Sequence, residues 1–150
     1  HRLPPYYKNF GKRLIKSSKL YFVDTGLACH LLKLQHSEQI LNSPWAGALF
    51  ENLIVMERIK SLAADAKRPD LYFWRSHDGL EVDLIEDQGT KIIATEIKLA
   101  HTVQDSLVSN LERFESFCKD VTIEKQVVSQ STKPNLSSAF RHFHWKDWTS

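Results

Sequence analysis

The stretch Leu80-Glu81-Val82-Asp83-Leu84-Ile85-Glu86-Asp87-Gln88-Gly89-Thr90-Lys91-Ile92-Ile93-Ala94-Thr95-Glu96-Ile97-Lys98 decides the fold. Two apolar β-type runs flank Asp87-Gln88-Gly89-Thr90, which reads as a hairpin loop. Alternation puts Leu80, Val82 and Leu84 on one face of the first strand and Glu81, Asp83 and Ile85 on the other. In the second strand Ile93, Thr95 and Ile97 oppose Ile92, Ala94, Glu96 and Lys98. If Glu86 pairs with Lys91 across the loop, Asp83 falls opposite Ala94 and Glu81 opposite Glu96. Asp83 and Glu96 are then diagonal neighbours on one face, ~7–8 Å apart. A one-residue slip would separate them.

The flanking sequence supplies the rest of an α/β domain. From Trp45 to Leu62 the pattern is helical, with Leu49, Leu53, Met56 and Ile59 in one stripe, widened by Ala46, Phe50 and Ile54. Ala48 and Val55 are apolar on the far side, so this helix is buried on more than one side, and Glu51 shares their face. Glu57, Arg58 and Lys60 read as its solvated end. Leu71 to Trp74 is a strand, followed by the turn Ser76-His77-Asp78-Gly79. Val103, Leu107, Leu111, Phe114 and Cys118 predict a second amphipathic helix over 103–118, and Val121 to Ser129 a further strand. Residues 140–148 are a last strand or an irregular aromatic segment. Upstream, Leu20 to Val23 reads as a short strand, Asp24 or Thr25 caps a helix reaching about Leu34, and residues 35–45 form a polar connector. The order of elements predicts a central mixed β-sheet flanked by helices.

The chain has 150 residues, 42% hydrophobic and 25% charged, which suits one domain with one good core. A net charge of +2 is too small to argue nucleic-acid binding by itself. Cys29 and Cys118 fit no metal or redox spacing, which points to a reducing, cytoplasmic compartment. No apolar run approaches the ~20 residues of a membrane span, and no Gly-x-x-x-x-Gly-Lys-Ser/Thr loop is present. The chain opens at His1-Arg2-Leu3 and reads as a fragment of a longer protein. Residues 1–19 are a basic leading segment and residues 20–150 the domain proper.

Charges inside apolar strands are costly unless paired or put to use. Glu51, Asp83, Glu96 and Lys98 are the candidate catalytic set. Asp83, Glu96 and the Ile97 carbonyl are candidate ligands for magnesium or manganese, hard cations that one or two carboxylates with waters can hold. Lys98 shares the face of Glu96 and can orient a water and meet developing charge. This is the chemistry of metal-assisted phosphodiester cleavage. The rival arrangement is a buried Glu96–Lys98 pair, with Asp83 hydrogen-bonded nearby, on a non-catalytic scaffold. A direct pair sealed from solvent would favour that rival. Lys8, Lys12, Arg13 and Arg75 are candidate phosphate contacts, and the run continues through Lys16 and Lys19. Tyr6, Tyr7, Phe10, Trp74 and Trp145 can stack on bases, although most aromatics are core. His142 and His144 read as a surface pair without a third metal ligand.

At Glu51, Asp83 and Glu96-Ile97-Lys98 the chain resembles the PD-(D/E)xK nuclease superfamily, whose core is restriction-endonuclease-like. Val82 stands where that motif has its proline. A closer resemblance runs through Lys19-Leu20-Tyr21-Phe22-Val23-Asp24-Thr25-Gly26-Leu27, Gly47 to Asn52, Phe73-Trp74-Arg75 and Glu81-Val82-Asp83. These stretches look like an uncharacterised domain at the C terminus of bacterial and archaeal AAA-family ATPases. The resemblance implies an upstream ATPase and winged-helix part, of which residues 1–19 would be the tail, and oligomers formed through that parent. It also implies a DNA-related role. The function expected is Mg-dependent hydrolysis of DNA, endo- or exonucleolytic, with a DNA- or protein-binding regulatory module as the alternative.

Overall fold

The hairpin forms, and its strands occupy the middle of a five-stranded sheet. The computed structural model describes residues 1–7, 17–67, 70–118 and 121–148. Strands β1 (Arg2–Leu3) and β2 (Lys19–Leu20) pair antiparallel and are followed by helices α1 (Thr25–Leu31), α2 (Ser37–Leu41) and α3 (Ala46–Ala64). Next come β3 (Leu71–Arg75), β4 (Glu81–Asp87), β5 (Lys91–Lys98), α4 (Ser109–Phe117), β6 (Thr122–Ser129) and β7 (Phe140–His144). The sheet order is β3-β4-β5-β6-β7, antiparallel across the first two pairings and parallel across the last two. The segment carrying α4 returns the chain so that β6 can run parallel to β5, which no tight turn could do. The expected mixed sheet with flanking helices is observed.

Each sheet face has its own core. Phe50, Ile54, Val55 and Met56 of α3 pack with Phe73, Leu84, Ile97 and Val128. Leu111 and Phe114 of α4 pack with Trp74, Val82, Ile85, Ile92, Ala94 and Val127. Adjacent residues such as Val127 and Val128 serve opposite cores, so the end of β6 reads as continuously apolar.

Alternation fails within β4. Val82 and Ile85 share the α4 core while Leu84 belongs to the α3 core, so Leu84 does not lie with Leu80 and Val82 as expected. Tyr72 faces Ile85 and Trp74 faces Val82, so Asp83 and Leu84 together oppose Phe73. This is a β-bulge, which re-aims side chains and increases local twist.

The hairpin register also differs from expectation. Leu84 faces Thr95, Ile85 faces Ala94, Glu86 faces Ile93 and Asp87 faces Ile92. Asp87 joins the ladder, and the loop tightens because the Gln88 N–H bonds the Lys91 carbonyl at 2.9 Å and Gly89 takes a positive φ of 83°. Continuing this register by one step sets Asp83 across from Glu96. The predicted Asp83–Ala94 and Glu81–Glu96 pairings do not occur.

Other boundaries move. β2 takes in only Leu20 of the predicted 20–23 strand, Tyr21 adds backbone hydrogen bonds to His1, α1 ends at Leu31, and the 35–45 connector contains α2. The helix expected over 103–118 is α4 alone, preceded by a 3-10 turn at Asp105–Leu107. Val103 is buried, but its carbonyl bonds the Asn135 N–H at 2.8 Å rather than a helical turn. Arg58 is only partly exposed; its guanidinium bonds Glu86 at 2.7 and 3.0 Å and ties α3 to β4. Leu3 and Tyr6 are buried, and the Tyr6 N–H bonds the Phe73 carbonyl at 2.8 Å.

Candidate functional site

Four elements deliver charged groups to one end of the sheet. α3 supplies Glu51, β4 supplies Glu81 and Asp83 at its bulge, β5 supplies Glu96 and Lys98, and β2 supplies Lys19. Asp83 and Glu96 are buried, while Lys98 keeps a third of its side chain exposed. A cleft of about 570 Å³ opens on Lys19, Glu51, Arg75, Glu81 and Asp83 and runs on past Phe22 and Trp45.

The hydrogen bonds divide this set into two halves. In one, Asp83 Oδ2 accepts the Ile97 N–H at 2.9 Å, and Lys98 Nζ lies 2.5 Å from Glu96 Oε1. Glu96 Oε2 is buried without a hydrogen-bond partner among the described residues. In the other, Glu51 Oε1 accepts from Lys19 Nζ at 2.7 Å and from the Tyr21 hydroxyl at 2.6 Å. The same Lys19 ammonium pairs with Glu81 Oε1, and Arg75 clasps Glu81 Oε2. Asn52, one residue after Glu51, holds Phe22 by both its N–H (2.8 Å) and its carbonyl (2.9 Å) and donates to Thr25 Oγ1 at 2.8 Å. Asn52 therefore locks the segment after β2 onto α3 and keeps Lys19 and Tyr21 at Glu51.

The electrostatics follow from burial and crowding. Burial, then the charge of Glu51, pushes the Asp83 carboxyl up to about 6, against the opposing pull of the Ile97 N–H, Lys98 and Lys19. Burial, then Asp83, pushes Glu96 up to about 8 despite Lys98. Burial disfavours the ammonium forms of Lys19 and Lys98, but the surrounding carboxylates outweigh it and both are raised. Tyr21 is raised by burial and by Glu51, so its hydroxyl stays a donor.

Among the described residues, no three His, Cys, Asp or Glu side chains group closely enough to enclose a metal ion. The donor set is a carboxylate pair, the complement that a magnesium-type ion completes with waters. Glu96 Oε2, buried with no hydrogen-bond partner among the described residues, fits such an ion, because a buried polar oxygen without a partner is penalised and a bound cation would favour the charged carboxylate.

Thus Asp83, Glu96, Ile97 and Lys98 meet at one half of the site and Glu51 stands in the other. Lys8, Lys12 and Arg13 lie outside the described residues. Arg75 is engaged by Glu81. Tyr6 and Trp74 are core residues, whereas Tyr7 is exposed. His142 Nε2 lies 2.8 Å from Ser129 Oγ. The residues that sequence reasoning missed are Lys19, Tyr21, Glu81 and Asn52. The Lys19-x-Tyr21 spacing on an extended segment was the one local signal for two of them.

Residues 46–145 match the family described as Domain of unknown function (DUF4143). The chain belongs to this family. Residues 1–38 match a second one, Domain of unknown function (DUF8612). Glu51, Arg75, Glu81, Asp83, Glu96 and Lys98 fall inside the DUF4143 match, whereas Lys19 and Tyr21 fall inside the other, so the site is built from both. Uncharacterized protein Mb2031c of Mycobacterium bovis and Uncharacterized protein Rv2008c of Mycobacterium tuberculosis are each 33% identical to this chain over 101 residues, or 67% of it. The matched part is 22% of either relative, so the chain spans only about a fifth of their length. No solved structure matches.

Proposed function

We propose that this DUF4143 domain is a nuclease-like module for magnesium- or manganese-dependent hydrolysis of phosphodiesters in DNA, carried by an AAA-family ATPase. One observation carries the reading: Glu96, buried beside Asp83, has one carboxylate oxygen with no hydrogen-bond partner among the described residues. The order α3, β3, β4, β5, α4, β6, with a glutamate on the helix and Asp83 and Glu96-Ile97-Lys98 on the hairpin, supports a restriction-endonuclease-like core.

Asp83 and Glu96, with the Ile97 carbonyl, would hold the ion. Once bound, the ion would supply an activated water at neutral pH and offset charge on the phosphate. Lys98 keeps its ammonium at Glu96 with a third of its side chain open, so it can orient a water and meet charge that develops on the phosphate. Glu51 contributes negative potential and is itself fixed by Lys19 and Tyr21. Lys8, Lys12 and Arg13 would supply phosphate contacts and non-specific affinity. An upstream ATPase would bring oligomerisation, in a cytoplasmic setting.

The second reading is a non-catalytic DNA- or protein-binding module on the same scaffold. The direct Lys98–Glu96 pair and the Asp83–Ile97 hydrogen bond favour it. The exposed third of Lys98 weighs against a pair sealed from solvent.

The test is cleavage of single- and double-stranded DNA with Mg²⁺ or Mn²⁺, wild type against Asp83→Ala. Metal-dependent cleavage abolished by the substitution supports the first reading. Metal-independent binding without cleavage supports the second.

A further inference from the structure

The far half of the site holds a cation of its own. Lys19 Nζ bonds Glu51 Oε1 at 2.7 Å and pairs with Glu81 Oε1, and its side chain is only 18% exposed. Both carboxylates border the cleft that also opens on Asp83, so ions in solvent can reach them. Yet the ammonium stands between them, where a second metal ion would have to sit. Glu51 has a further donor in Tyr21, and Glu81 a further cation in Arg75. Glu81 Oε1 is buried with no hydrogen bond among the described residues and has the Lys19 ammonium as its ion-pair partner, whereas Glu96 Oε2 has neither.

We infer that Lys19 is a built-in cation that limits this centre to one divalent ion, and that Glu51 and Glu81 form a latent second ion site which opens when the ammonium is removed. The inference rests on the metal-binding part of the proposed function. Charge balance supports it. With all four carboxylates ionised, as ion binding requires, Glu51, Glu81, Asp83 and Glu96 face Lys19, Arg75 and Lys98, which leaves one net negative charge. One divalent ion already over-compensates that charge, and a second would add unbalanced repulsion at close range. Without Lys19 the deficit grows to two, and the vacated space lies between two carboxylates that once shared one ammonium. Lys19 is thereby a determinant of metal stoichiometry, delivered by a strand outside the DUF4143 match.

The test is Mn²⁺ titration, with bound ion counted by electron paramagnetic resonance and by calorimetry. The proteins are wild type, Lys19→Met, Lys19→Gln, Lys19→Arg and the double variant Lys19→Met with Glu51→Gln. The wild type and Lys19→Arg are expected to bind one ion. Lys19→Met and Lys19→Gln are expected to bind two, and the double variant one. Gln keeps a donor toward Glu51, so charge is removed in a form that retains the strand if Met does not fold. A neutral variant that still binds a single ion overturns the inference, as does a wild type that binds two. A wild type that binds no ion overturns instead the metal reading on which the inference rests.

Discussion

Lys98 Nζ lies 2.5 Å from Glu96 Oε1, while Oε2 of the same carboxylate is buried with no hydrogen-bond partner among the described residues. Half of this carboxylate is satisfied by a local lysine, and half has no partner among the described residues. A purely structural ion pair is stabilising only when the remaining lone pairs are also satisfied. Here they are not, and Asp83 adds a second carboxylate close by.

This crowding gives stability a pH dependence in the metal-free protein. Asp83 is held at about 6 and Glu96 at about 8, above their ordinary 3.8 and 4.5. Between those values the folded protein retains protons that the unfolded chain has released. Stability from this pair is fully present below 3.8 and is lost as pH rises toward about 8. The slope is about 1.4 kcal/mol per pH unit for each proton retained. Denaturant unfolding in EDTA at successive pH values should show the decline, and Glu96→Gln should flatten it. Equal slopes for wild type and Glu96→Gln would refute this account.

Asp83→Asn separates charge from hydrogen bonding. The amide oxygen can still accept the Ile97 N–H, while carboxylate repulsion is relieved. In EDTA its melting temperature should equal or exceed that of wild type, and Mg²⁺ should no longer raise it. Asp83→Ala also orphans a buried N–H, at a cost of about 1–3 kcal/mol. A loss of about 3–5 kcal/mol in Asp83→Asn would instead identify Asp83 as a partner in a structural ion pair.

Asn52 is expected to matter for stability without touching the acids. Replacing it by Ala removes three hydrogen bonds to Phe22 and Thr25. A loss of about 1–3 kcal/mol in urea unfolding is predicted. A change below about 0.5 kcal/mol, the range of ordinary surface substitutions, would show that the 22–25 segment does not depend on α3.

The basic leading segment carries the electrostatic argument for DNA. Changing Lys8, Lys12 and Arg13 together to Ala should weaken duplex binding and make the slope of log K against log salt shallower by roughly 2–3. Titration of a labelled duplex at several salt concentrations measures it. An unchanged slope would move the weight to a protein-binding module.

Much of the architecture was legible in the chain. β5 spans Lys91–Lys98 as its alternation indicated, and α3 starts at Ala46 where the apolar stripe begins. The bulge was not legible, because period-two counting cannot see an extra residue; only the pairing of Phe73 against both Asp83 and Leu84 reveals it. The apolar spacing from Val103 to Leu107 mimics a helix, yet those residues are held by a bridge to Asn135 and a 3-10 turn. Phe22 and Val23 are half-exposed or more and lie beyond β2, so the apolar run Leu20 to Val23 does not continue as a strand. Asp83, Glu96 and Lys98 were readable because charge inside apolar strands is conspicuous. Lys19 was hidden in a basic run, and its partners Glu51 and Glu81 lie far along the chain, beyond any local spacing.

The most direct measurement is an anomalous-difference map from crystals of this chain soaked in Mn²⁺. The account predicts a peak between the Asp83 and Glu96 carboxylates, at roughly 2.0–2.2 Å from an oxygen of each as expected for a small hard cation. A map without a peak there, with Lys98 still closed on Glu96 at saturating Mn²⁺, would contradict it.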